Sequence, residues 1–112
     1  MKKAVVVGAG IAGIASAIRL QSKGFAVQVL EKNSYPGGKL TQLKGKGFRF
    51  DAGPSLFTMP HLVTELFELS GKKASDYFNY DQLDILCNYF YEDGTIISAN
   101  SDINTFANEM SS

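Results

Sequence analysis

Apolar residues follow two rhythms at the start of this chain, and the change falls on a cluster of glycines. Ala4-Val5-Val6-Val7 is an unbroken apolar run, which predicts a strand buried on both faces of a parallel sheet. From Ile11 the period becomes helical. Ile11, Ile14, Ala15 and Ile18 share a face, Arg19 and Lys23 fall near the end where cations suit the dipole, and Gly24 stands just past it. Residues 25–30 read as a second strand, with Glu31 at its end. Strand, helix and strand at this spacing predict a parallel βαβ unit and an α/β fold.

The rest of the chain changes rhythm again. Asn33, Ser34, Pro36, Gly37 and Gly38 predict a turn. Leu40, Leu43, Phe48 and Phe50, arranged around Gly45 and Gly47, form a hairpin-like stretch closed by Asp51-Ala52-Gly53-Pro54. Met59-Pro60-His61 opens a second helix with Leu62, Val63, Leu66, Phe67 and Leu69 on one face, stopped at Ser70-Gly71. Residues 83–91 and 95–99 are strand-like and meet through Asp93-Gly94, a two-residue hairpin signal. Tyr89, Phe90 and Tyr91 alternate across that strand and are expected in a sheet core rather than a substrate cavity. Asp102 or Ser101 caps a last helix carrying Ile103, Phe106, Ala107 and Met110.

The glycines carry the first chemistry. Gly8, Gly10 and Gly13 have the spacing of a dinucleotide-binding turn: Gly8 for the tight exit from the strand, Gly10 for close backbone approach to a pyrophosphate, Gly13 for helix-to-sheet packing. The first helical turn, with Ile11 and Ala12, offers free N–H groups and the positive dipole end to phosphates. Glu31 follows Gly13 by eighteen residues, where a carboxylate accepts from ribose hydroxyls and repels a 2′-phosphate. These features point to a dinucleotide of the FAD or NAD type and away from NADP.

Composition narrows the rest. A chain of 112 residues allows one small domain, and 45% hydrophobic with 20% charged residues is ordinary for a globular protein. The single cysteine, Cys87, excludes an internal disulfide, fits a reducing, cytoplasmic compartment, and is expected to be a buried, inert thiol. One histidine, His61, builds no metal site, and no nucleophile–base set stands out as catalytic. The net charge is zero, yet residues 1–56 carry +7 and residues 57–112 carry −7. The basic half is the one with the glycine turn, as an anionic cofactor would favour. It lacks interleaved aromatics, which disfavours nucleic acid. Lys2-Lys3, the apolar run and Ala15-Ser16-Ala17 imitate a secretory leader, but glycines at dinucleotide spacing argue against one. No apolar stretch approaches the ~20 residues of a membrane span.

Val6-Val7-Gly8-Ala9-Gly10-Ile11-Ala12-Gly13, Leu30-Glu31-Lys32, Pro36-Gly37-Gly38-Lys39 and Gly47-Phe48-Arg49-Phe50-Asp51-Ala52-Gly53-Pro54-Ser55 resemble the N-terminal part of the carotenoid (phytoene) desaturases. These belong to a wider group of flavoproteins with the amine oxidases and protoporphyrinogen oxidase. The resemblance implies a Rossmann-type FAD-binding segment over residues 1–70 and the start of an inserted substrate domain over 71–112. It implies that Gly8, Gly10, Ile11, Ala12, Gly13, Glu31, Lys32, Gly37, Gly38 and Lys39 lie along FAD, with Asp51, Gly53 and Pro54 near the flavin ring. The family shows arginine at Lys39 and Ser or Thr at Gln42; lysine keeps the charge but loses the planar fork. The implied activity is FAD-dependent desaturation of a lipophilic, carotenoid-like polyene, with possible peripheral membrane association of the full-length enzyme. The alternatives are another oxidase of the same group, or a non-catalytic dinucleotide-binding module. A Rossmann sheet needs further parallel strands, so these residues alone are expected to be inactive and to self-associate.

Overall fold

The computed structural model describes residues 1–111 and divides the chain into two compact units, the first Met1–Phe78 and the second beginning at Asn79. In the first unit, β1 (Lys3–Val7) and β2 (Ala26–Leu30) pair in parallel, with Lys3 opposite Ala26 and Val7 opposite Leu30. The crossover is α1 (Ile11–Ser22), capped at its start by Gly10 without any side-chain bond. Gly13 explains how tightly helix and strand join: a Cβ there would collide with the Gly8 carbonyl oxygen and stand 3.5 Å from a Val6 methyl.

β1 departs from expectation. It is covered on one face only, and Val5 and Val7 are 59% and 84% exposed on the other. The reason is topological: among the described residues the sheet has two strands, and α1 lies on a single side. An apolar run reports that both faces suit burial, not which part of the chain buries them.

β3 (Gln42–Gly45) and β4 (Phe48–Asp51) form the expected antiparallel hairpin, and Arg49 and Asp51 pair at 2.7 Å along β4 on an exposed surface. α2 (Pro60–Leu69) begins at a proline and packs on α1, burying Leu66. Arg19 and Glu65 link the same two helices at 2.7 Å. The first unit runs past residue 70 because a short turn of helix, Ala74–Asp76, and its neighbours fold back on α2. Phe67 meets Tyr77 and Phe78 at ring separations of 5.0 and 5.6 Å, and Phe57 meets Phe78 edge-on at 5.7 Å.

The second unit is a hairpin, β5 (Ile85–Phe90) with β6 (Ile96–Asn100), and one helix, α3 (Ile103–Met110), packed on β6. Asp102 caps α3, its carboxylate accepting the Thr105 N–H at 2.8 Å. The turn is one residue longer than Asp93-Gly94 predicts. Tyr91 and Thr95 close a three-residue loop, with Gly94 at φ +87° and the Thr95 N–H bonded to Asp93. Two expectations fail here. Cys87 is exposed, and Tyr89, Phe90 and Tyr91 are 48%, 75% and 52% exposed rather than packed in a core. Among the described residues this sheet has only two strands, and α3 is too short to cover them.

Candidate functional site

The site is a knot of backbone at the exit of β1. Gly8 turns the chain at φ +100° and donates its N–H to the Leu30 carbonyl at 2.7 Å, tying the turn to the end of β2. Ala9 is buried and uses both its peptide groups. Its N–H donates to Glu31 Oε2 at 2.6 Å, and its carbonyl accepts the Gly37 N–H at 2.7 Å. The Gly10 carbonyl accepts the Ile14 N–H and starts α1. The amides of Ile11, Ala12 and Gly13, in the first turn, have no acceptor within the helix. With the dipole they form an anion-binding end.

The second glycine pair docks directly on the first. Gly10 and Gly37 form a parallel bridge, and a Cβ on Gly38 (φ +61°) would stand 3.1 Å from the Gly10 Cα. The third segment closes on the second, because a Cβ on Gly53 would strike the Lys39 carbonyl. The Ala52 N–H adds a bond to the Thr41 carbonyl at 2.9 Å. Three motifs far apart in sequence are therefore stacked backbone on backbone. In this structure the close approach at Gly10 is made by Gly38, and the Gly37 amide is spent on Ala9 rather than left for a phosphate.

A cavity of about 800 Å³ opens beside this knot. Gly10, Ile11, Ala12, Gly37, Gly38, Lys39 and Pro54 line it among the candidate residues. Asp51, Gly53 and Pro54 line a neighbouring, more polar cavity of about 730 Å³ with Arg49 and Tyr35. Gly8, Gly13, Glu31 and Lys32 line neither; the first three shape the turn from behind, and Lys32 is exposed. The larger cavity has a wall that the sequence reading did not assign to the site: Leu56, Phe57, Met59, Leu62 and Val63. The available signal was the absence of any charge from Ala52 to Thr64, which looks the same as core until the fold leaves it partly exposed. All eleven Lys and Arg residues lie in the first unit, whereas the second has six acids and no cation.

Residues 6–69 match the family of NAD(P)-binding Rossmann-like domains. The chain belongs to that family. Over nearly its whole length, the Rossmann-like domain included, the chain is 52% identical over 107 residues to the 1-hydroxycarotenoid 3,4-desaturase of Flavobacterium sp. (strain P99-3), covering 96% of this chain and 22% of that enzyme. It is 40% identical over 109 residues to the 4,4'-diapolycopene oxygenase of Methylomonas sp, covering 97% of this chain and 22% of the relative. A Pyrococcus furiosus protein of known crystal structure superposes with a TM-score of 0.55 at 28% identity, over 84% of this chain and 24% of that one. An oxidoreductase from Methanosarcina mazei shares the fold at TM-score 0.50 and 24% identity, over 91% of this chain and 25% of that one. The chain spans about a fifth of the length of the curated relatives it matches.

The electrostatics of the Rossmann-like turn centre on Glu31. Oε1 accepts the Asn33 N–H at 2.8 Å while Oε2 holds Ala9, and these two amides, Asn33 the larger influence, keep the carboxyl below its ordinary value of 4.5. Each oxygen retains a lone pair for a further donor. A group whose folded pKa is depressed stabilises the fold above its unfolded value and loses that contribution as pH falls through the folded one. Melting curves taken from neutral pH to about pH 3 should therefore show a loss of stability below pH 4.5 that is smaller in Glu31→Gln. Parallel pH profiles for the two proteins would remove Glu31 from the account of the turn.

Proposed function

We propose that this chain seats FAD and forms the cofactor-binding part of an oxidoreductase acting on a carotenoid-like polyene. One observation carries the reading. The 800 Å³ cavity joins an anion-binding helix end and a glycine knot to an uncharged wall in which Leu56 and Met59 are 56% and 57% exposed. A dinucleotide needs the first part, and a lipophilic substrate beside a planar ring needs the second. The backbone amides of Ile11 and Ala12, which border the cavity, would meet the pyrophosphate, with the Gly13 amide behind them in the same helical turn. Lys39 would add charge at the rim, and Glu31, outside the cavity lining, would accept from a ribose that reaches past the turn. The carboxylate disfavours a 2′-phosphate, which supports FAD or NAD over NADP. The relatives named as carotenoid desaturase and oxygenase support the polyene, and the resemblance of the glycine motifs to those of flavoproteins supports FAD over NAD.

Bound FAD supplies a two-electron acceptor, so that two adjacent carbons lose one hydride and one proton and gain a double bond. No residue of this chain needs to make or break a bond. Its part is to hold the cofactor and to present apolar surface to the substrate. A substrate of that kind resides in lipid, so the full-length enzyme works at a membrane surface on the cytoplasmic side. Among the described residues, no helix is long and apolar enough to cross the membrane itself.

Two outcomes are expected. The full-length protein should purify with flavin absorbance in the visible, and anaerobic incubation with a partly saturated carotenoid should give a product lacking two hydrogens and absorbing at longer wavelength. A colourless protein with a bound nicotinamide cofactor would overturn the assignment. If the incubation is repeated in air, a product that has gained oxygen would favour the activity after which the Methylomonas relative is named. The 112-residue chain alone should self-associate through the uncovered Val5 and Val7 face of β1. Light scattering should give a mass above the monomer's 12.2 kDa that falls when both valines become threonine; a stable wild-type monomer would contradict this.

A further inference from the structure

We infer that Glu31 and the Gly37–Gly38 pair are positioning residues that hold the glycine turn in its binding shape through the two peptide groups of Ala9, before any cofactor arrives. The inference rests on the dinucleotide reading of the site and deepens it. Ala9 lies between Gly8 and Gly10, and both its polar backbone groups are claimed by other segments: the N–H by Glu31 at 2.6 Å, the carbonyl by Gly37 at 2.7 Å. Ala9 is only 7% exposed and does not line the cavity that borders Ile11 and Ala12.

The bonds fix the peptide planes on either side of Ala9, and hence the direction in which α1 leaves the turn. The Gly10–Gly37 bridge and the 3.1 Å spacing between a Gly38 Cβ and the Gly10 Cα place the second pair flush against the first. A Cβ on Gly38 would crowd that contact, and the positive φ there strains any other residue. A turn without these two bonds would leave a buried amide and carbonyl unpaired, so the alternative is reorganisation of the turn rather than a small loosening. Binding in the ordered turn then costs less ordering entropy, which is how a residue that touches no phosphate raises affinity for one.

The test uses the full chain without cofactor, by site-resolved amide hydrogen exchange, followed by titration with FAD. Glu31→Ala should speed exchange at Ala9, and Gly38→Ala should speed it at Ala9 and Gly37, while amides of the β1–β2 ladder stay protected. Glu31→Gln keeps one acceptor oxygen and should restore part of the Ala9 protection lost in Glu31→Ala. FAD affinity should fall roughly tenfold in Glu31→Ala and in Gly38→Ala. Uniformly faster exchange across the unit would mean a merely structural role and overturn the inference, as would unchanged exchange at Ala9. If Gly38→Ala does not fold, the Glu31 pair of variants decides alone. If wild-type chain binds no FAD yet shows the local exchange pattern, the clasp stands and the cofactor assignment falls.

Discussion

The candidate site depends on contacts that only a bare backbone can make. Gly13 over the Gly8 carbonyl and Gly53 on the Lys39 carbonyl each occupy the space of a Cβ, and Gly38 lies so close to Gly10 that a Cβ would be crowded at 3.1 Å. Remove that space and the three segments separate, and with them the wall and floor of the cavity. Hydrogen bonds then fix what close packing allows. Gly8 bonds to the end of β2, and Ala9 bonds to Glu31 on one side and Gly37 on the other. The result satisfies the turn's inner polar groups and leaves the amides that face α1's open end unsatisfied. Such selective satisfaction separates an anion seat from an ordinary tight turn.

Charge and apolarity act at different ranges around this seat. The first unit holds every Lys and Arg of the chain, a distribution that favours anions at a distance. Close to the seat the surroundings become uncharged from Ala52 to Thr64, apart from Lys39 and the Arg19–Glu65 pair at the edge of the cavity. An anionic group and a flat apolar one can therefore be held by neighbouring parts of one cavity.

Much of the fold was legible because its signals are local. The βαβ unit, the start of α2 at Pro60 and the cap at Asp102 each follow from residues within one turn of the feature. Burial was not legible in the same way. Val5, Val7, Cys87 and Phe90 have the side chains of a core, but no described element covers them. The glycine motifs were legible as residues, and their mutual contact was not. Spacing along the chain says nothing about Gly38 lying on Gly10, or about Glu31 turning its carboxylate to the Ala9 amide. The apolar wall from Leu56 to Val63 was hidden for a related reason: helix-face periodicity reads as packing until a cavity is found beside it.

The most direct test of the account is an amide chemical-shift titration of the isotope-labelled chain with FAD. The account predicts saturable shifts concentrated at Ile11, Ala12 and Gly13, with smaller ones at Gly10 and Lys39 and little change across β5 and β6. Shifts centred on the second unit, or none at the start of α1 under saturating FAD, would contradict the claim that this helix end is the cofactor seat.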